Sequence, residues 1–347
     1  MLRILAFSLF VLLFSFAQVS LGDDAAAPSK KDSAAAANKE QATANKANAI
    51  DFATIGSPII FQGDEVTAYR DPAAVYHDGV MRIYFTVVKM EEEGAFWYLG
   101  YSKSEDLVNW TEPKMLTPRN RELNFSSPGN IVRYKNKWMI CFQSYPTPNN
   151  EVYGNPTARL WVMRSDDLEN WSDPEMLAVK GPDVRREDMG RMIDPYLIED
   201  KDRPGRWWCF YKQNGVSMSW TDDFVTWHYH GRRDSGENVC VLVENDEYVM
   251  LHSPQNGLGV MRSDDLKTWK ADPGLITLGQ KNWPWAAARL TAGAVLDLRE
   301  EPSAGKYVMF FHGATHKGHR MHAAHGSGSL ALAWSNDFRT WHWPGKK

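Results

Sequence analysis

The reading turns on Arg70-Asp71-Pro72-Ala73-Ala74-Val75-Tyr76-His77-Asp78-Gly79, which runs into the apolar stretch from Met81 to Val88. β-Formers on both sides of an Asp-Gly pair spell a strand, a tight turn and a second strand. A carboxylate at the head of an apolar strand calls for a partner or a chemical task. The pattern then returns four times: SPGNIVRYKNK from Ser127, IDPYLIEDKD from Ile193, GENVCVLVENDE from Gly236 and LTAGAVLDLREE from Leu290. Each copy leads into aromatic and β-branched residues, namely IYFTVV, WMICFQ, WWCFYK, YVMLHS and YVMFFH.

A second signature closes each copy. SEDLVNW ends at Trp110, SDDLENW at Trp171, TDDFVTW at Trp227, SDDLKTW at Trp269 and SNDFRTW at Trp341. The Ser/Thr and Asp can bond their own backbone and pin a turn, while Leu/Phe and Trp bury against flanking sheets. A period of about 40 residues built from strands is the mark of a β-propeller with one four-stranded blade per repeat. A sandwich with recurring turns is the alternative, and a Trp motif kept in register five times argues against it. Most copies continue into an outer strand opened by an acidic residue and Pro (EPKML at 112, DPEML at 173, DPGLI at 272), but none follows Trp341. Ser57-Pro58-Ile59-Ile60-Phe61 resembles the missing piece. The expectation is an all-β, five-bladed propeller of four-stranded antiparallel blades, its ring closed by this N-terminal strand.

Residues 1–22 carry Arg3, an apolar core from Ile4 to Ala17 and small residues at Ser20 and Gly22, the pattern of a secretory signal peptide. The apolar run is short for a membrane span, so a secreted or periplasmic protein is expected, with no membrane contact after cleavage. Residues 23–50 are rich in Ala, Lys, Asn, Asp and Ser, too polar to bury a core, and read as a disordered linker. Residues 51–347 are then one propeller domain. The net charge of −4 and the lack of a basic stripe argue against a nucleic-acid partner. Fifteen Trp suit a propeller and suit stacking on sugar rings. Cys141, Cys209 and Cys240 each sit in an apolar strand, and buried free thiols are expected in preference to a disulfide.

In a propeller the innermost strands line a central channel, so their heads converge at its mouth. Those heads read Asp71, Ser127, Asp194, Glu237 and Thr291. Carboxylates crowded in one funnel push their pKa values apart, one staying protonated while others ionise. Cleavage of a glycosidic bond needs that division of labour. The alternative is that the acids cap strand ends or hold a cation.

This layout resembles the five-bladed propeller glycosidases, in particular glycoside hydrolase family 43 and more distantly family 32. The likeness rests on Arg70-Asp71-Pro72, on Ile193-Asp194-Pro195, on Glu237 at a later strand and on the recurring Ser-x-Asp-Leu-x-x-Trp turn. It implies that Asp71 is the general base of an inverting mechanism, or the nucleophile of a retaining one. Glu237 would be the general acid, with Asp194 tuning its pKa and orienting the sugar. Asn238-Val239 follow Glu237 where the families have Gly-Pro or Cys-Pro, and Arg70 stands where family 32 has Asn. The resemblance requires no cofactor and makes His312 a ligand of a structural calcium in the channel. In some related propellers a His is the acid, so His316 and His319 are alternatives to Glu237. His316 otherwise binds sugar hydroxyls, as do Ser127 and Thr291. Arg70, Arg191 and Arg289 flank three strand heads and are candidates for binding an anionic sugar or for pairing with the acids. The expected function is hydrolysis of a polysaccharide or oligosaccharide carrying pentofuranoside-type units. A carbohydrate-binding propeller without catalysis is the alternative.

Overall fold

The computed structural model describes residues 49–315 and 327–346. The expected signal peptide, most of the linker, and His316, His319, His322 and His325 lie outside these residues. Five antiparallel sheets follow one another along the chain. Blade one is Thr67–His77, Val80–Glu91, Gly94–Ser104 and Lys114–Met115. Blade two has its inner strand in two pieces, Phe125–Ser126 and Ile131–Tyr134, followed by Lys137–Ser144, Leu160–Ser165 and Glu175–Met176. Blades three and four run Ile193–Glu199, Trp207–Lys212, Val216–Thr221, His228–Arg233 and Glu237–Glu244, Glu247–Ser253, Gly259–Ser263, Lys270–Ala271. Blade five is Arg289–Leu298, Lys306–Ala314 and Ser329–Ser335.

The outer edge of blade five is completed as the sequence suggests. Ile59–Phe61 pairs antiparallel with Ser329–Ser335, placing Ile59 opposite Ala331 and Phe61 opposite Leu330. The short strand Trp341–His342 shares the same edge further along, with Trp341 opposite Ser335. An edge strand left bare exposes a row of unpaired amides, and here both ends of the domain cover it. Packing begins earlier than expected: Ile50, Phe52 and Ile55 are buried with the blade-one and blade-five core, and the Ile50 amide donates to the Ser303 carbonyl at 2.7 Å. The polar linker therefore stops short of residue 50.

The Trp motif works as its chemistry predicts. In SEDLVNW the Ser104 hydroxyl accepts from the Leu107 amide at 2.9 Å, and Asp106 Oδ1 accepts from the amides of Val108 and Asn109 at 2.8 and 2.7 Å. The residue after Asp then takes a left-handed backbone in all five copies: Leu107, Leu168, Phe224, Leu266 and Phe338 have φ of 60–66°. That conformation costs a non-glycine residue on the order of 1 kcal/mol. Burying the same side chain offsets it, since all five are at most 4 % exposed and such burial contributes about 1.5–3 kcal/mol. Between blades the apolar faces interlock through Tyr84, Phe85, Phe142, Phe210, Phe310 and Phe311, each almost wholly buried. Cys141, Cys209 and Cys240 are buried free thiols.

Candidate active site

The inner strand of every blade carries the same interruption. In blade one Arg70 faces Thr86 and Ala73 faces Tyr84, so Asp71 and Pro72 together oppose one residue. The same bulge recurs at Asp194-Pro195, Asn238-Val239 and Ala292-Gly293. In blade two it splits the strand at Ser127-Pro128. Its first residue has positive φ throughout: 46° at Asp71, 46° at Ser127, 52° at Asp194, 49° at Asn238 and 55° at Ala292. A bulge re-aims one side chain out of the ladder, here toward the channel.

This fivefold register corrects the strand heads read from sequence. Asp71, Ser127 and Asp194 are equivalent, but Glu237 and Thr291 stand one residue earlier, at the position of Arg70 and Ile193. Asn238 and Ala292 take the equivalent positions in blades four and five. Two carboxylates are thus related by the repeat, and Glu237 reaches the funnel from a different backbone position. Thr291 is wholly buried and its hydroxyl has no hydrogen-bond partner among the described residues. It does not line the funnel cavity, so a role in holding sugar is not supported by its placement.

Hydrogen bonds between neighbouring blades hold the bulges. The Ser127 amide donates to Thr86 Oγ1 of blade one (2.7 Å), and the Asp194 amide to Gln143 Oε1 of blade two (2.7 Å). The Ala292 amide donates to Ser253 Oγ of blade four (2.9 Å), and the Asp71 amide to His312 Nδ1 of blade five (3.1 Å). The corresponding residue of blade three is Lys212, which has no acceptor to offer. Its ammonium instead donates to Glu237, which also receives Arg289 Nη2. Lys212, Gln143 and Thr86 were missed from the sequence. Each occupies the place of His312 in its own blade, so aligning the second strands as well as the first would have found them.

The carboxylates differ sharply in surroundings. Asp194 is buried, and among the described residues it has no cation within 4 Å and accepts from the Ser127 hydroxyl alone, at 2.9 Å. Burial, then the charges of Glu237 and Asp71, push its pKa up to about 7. Burial also raises Asp71, against the pull of Arg70 (3.9 Å) and a hydrogen bond from Thr86 Oγ1 (3.1 Å). Glu237 is partly desolvated too, but the two cations clamped on it outweigh that and hold it below the usual carboxylate range.

His312 is 1 % exposed, with Nδ1 spent on the Asp71 amide and Arg70 Nε 3.4 Å from Nε2. A guanidinium against the ring disfavours a cation there, and no cluster of three His, Cys, Asp or Glu among the described residues is placed to hold a metal. The residues present do not fit the calcium site expected at His312. The ring instead fixes the backbone of Asp71.

Above the bulges lies a cavity of about 210 Å³ lined by the three carboxylates, Arg70, Arg191, Lys212 and Arg289. One wall is a ladder of stacked groups. The Arg70 guanidinium lies 5.9 Å from the Trp97 ring, Trp97 lies 4.7 Å from Tyr145, and the Arg191 guanidinium lies 5.3 Å from Tyr145. Below the bulges the channel narrows to about 20 Å³, room for roughly one water molecule. The arrangement is that of a five-bladed propeller whose funnel sets four cations against three carboxylates.

No family model matches the sequence, and no curated protein matches it. Solved structures do match the fold. The catalytic domain of a family 62 α-L-arabinofuranosidase from Coprinopsis cinerea is 14 % identical, with 82 % of this chain and 96 % of that one covered at a TM-score of 0.58. A thermostable family 43 glycoside hydrolase is 15 % identical over 85 % and 97 % of the two chains, at a TM-score of 0.56. A family 117 glycoside hydrolase from the marine bacterium Zobellia galactanivorans is 15 % identical over 78 % and 86 %, also at 0.56. At such identities the likeness establishes the fold, which this chain shares with glycoside hydrolases of several families.

Proposed function

We propose that this chain is an exported glycoside hydrolase acting on a polysaccharide or oligosaccharide with pentofuranoside-type units. The observation that carries the reading is the split among the three funnel carboxylates: Asp194 is held protonated to about pH 7 while Glu237 is held ionised. Two equivalent bulges, on blades one and three, set Asp71 and Asp194 at the same level of the funnel with Ser127 between them. Asp71 takes a proton from water as the water oxygen bonds to the anomeric carbon. The bond to the leaving oxygen breaks, and Asp194 supplies the proton that oxygen requires. A base whose pKa is raised by burial holds the proton it takes more firmly, which favours Asp71 in that role. Burial first, and then the charge of Glu237 fixed between Lys212 and Arg289, keeps the proton on Asp194. This assignment moves the acid from Glu237, where the sequence resemblance put it, to Asp194. The neighbours with arabinofuranosidase activity support the pentofuranoside class.

Aryl glycosides with good and poor leaving groups test the assignment. Asp194→Asn should lose activity on the poor leaving group and recover on the good one, because the acid's task has become unnecessary. Asp71→Asn should recover on neither. Recovery by Glu237→Gln in place of Asp194→Asn would return the acid to Glu237. A non-catalytic sugar-binding propeller is the second reading, favoured by the way two cations lock Glu237. Saccharide binding without turnover across a panel of plant and algal polysaccharides would establish it.

A further inference from the structure

Four cations and three carboxylates line the funnel, and their pairing is uneven. Arg70 lies beside Asp71, while Lys212 and Arg289 share Glu237. Arg191 has no carboxylate within 4 Å among the described residues. Its Nε donates to the Gly154 carbonyl at 2.8 Å, its Nη2 donates to the Tyr145 hydroxyl at 3.3 Å, and its plane sits by the Tyr145 ring. Its own carbonyl is fixed by Gln213 Nε2 at 3.2 Å. The guanidinium is therefore immobilised at the funnel wall by neutral groups only, leaving Nη1 without a hydrogen-bond partner among the described residues. Asp194, the one carboxylate without a cation, does not compensate it, since the two form no ion pair. With the proton resting on Asp194, the empty funnel holds more positive than negative charge.

A cation held rigidly in a cavity without a counter-charge is a built receptor for an oxyanion. Arginine's planar fork suits a carboxylate or a sulfate ester better than a hydroxyl does. We propose that the substrate carries an anionic substituent, a uronate carboxylate or a sulfate ester, and that Arg191 binds it. The inference rests on the glycosidase reading and narrows its substrate class. The Arg70–Trp97–Tyr145–Arg191 ladder gives the anion its place by holding the Arg191 guanidinium against the buried Tyr145 ring.

The test measures Kd by calorimetry for three matched oligosaccharides: neutral, uronate-bearing and sulfated. It uses the wild-type chain and Arg191→Gln and Arg191→Lys, each checked for an unchanged melting temperature. The wild type should favour one anionic ligand over the neutral one by about 10- to 100-fold, the range of hydrogen bonds to a charged group. That preference should fall toward unity in Arg191→Gln, survive in part in Arg191→Lys, and weaken with added salt. A preference for the uronate identifies a carboxylate substituent, and one for the sulfated ligand a sulfate ester. Equal binding of all three ligands overturns the proposal while leaving the glycosidase reading intact, because neutral glycosides could still be cleaved. An anionic preference that persists in Arg191→Gln also overturns it.

Discussion

Replacing Asp194 with Asn tests where the buried proton sits. An ordinary Asp releases its proton near 3.8, whereas Asp194 holds it to about 7. Between those values the folded chain binds a proton that the unfolded chain does not. The stability this confers is complete below about pH 4 and is lost as pH climbs through about 7. The gap corresponds to roughly 4 kcal/mol as a ceiling, since the charge is shared with Glu237. Asn keeps the acceptor for the Ser127 hydroxyl and carries no charge at any pH. Asp194→Asn should therefore melt above the wild type at pH 8, by at most about 3 °C at pH 5, and together with it by about pH 4. For a domain of this size about 2 °C accompanies each kcal/mol, so the gain at pH 8 is at most about 8 °C. Scanning calorimetry at pH 5, 6, 7 and 8 measures it. A Tm difference that is absent at pH 8, or equal at every pH, would refute the placement of the proton. The same substitution should cost on the order of 10²–10⁴ in kcat on an unactivated glycoside, making this a site where stability is given up for chemistry.

Deleting residues 51–62 should bare the edge of blade five and cause aggregation, read by light scattering; unchanged solubility and melting would show that Ile59–Phe61 does not close the ring. The Asp337 carboxyl is pulled down to about 2 by the amides of Thr340 and Arg339. Its stabilisation is thus present above pH 4 and lost as pH falls through about 2, so Asp337→Ala should lower Tm at pH 7 and match the wild type at pH 2. Burial pushes the Cys141 thiol up to about 12, and all three cysteines are buried. A thiol reagent should therefore modify none of the three in the native protein and all of them in denaturant. Proton NMR of the first-formed sugar should show the inverted anomer; the retained one would make Asp71 a nucleophile.

The blades were legible because each is encoded locally: the inner hairpin, the Trp turn and the strand between them need no distant partner to be recognised. Ring closure was legible for a related reason, a strand missing at one end matching a spare strand at the other. The funnel was only partly legible. Pro after Asp71, Ser127 and Asp194 marks the bulge in three blades, but Val239 and Gly293 carry no such mark. Counting by strand alternation therefore slid Glu237 and Thr291 by one residue. Arg191 was named, but Lys212 and the Trp97 and Tyr145 rings beside it were missed because they come from second and third strands and from loops, and only the closed ring brings them together. His312 was found as a residue of the site, but its bond from the Asp71 amide was not legible, since a sequence shows a ring nitrogen without showing which amide it faces.

The contact between the Asp71 amide and His312 spans 241 residues and joins the first blade to the last. Each other rung of that belt links consecutive blades, so the first four blades can dock in order as they leave the ribosome or the export channel. None of those steps supplies the acceptor for the Asp71 amide. The Asp71 amide gains its acceptor only when blade five arrives and Ile59–Phe61 seals its edge. On the glycosidase reading, a chain lacking blade five would lack this support for the Asp71 backbone, so closing the ring and completing the site would be one event.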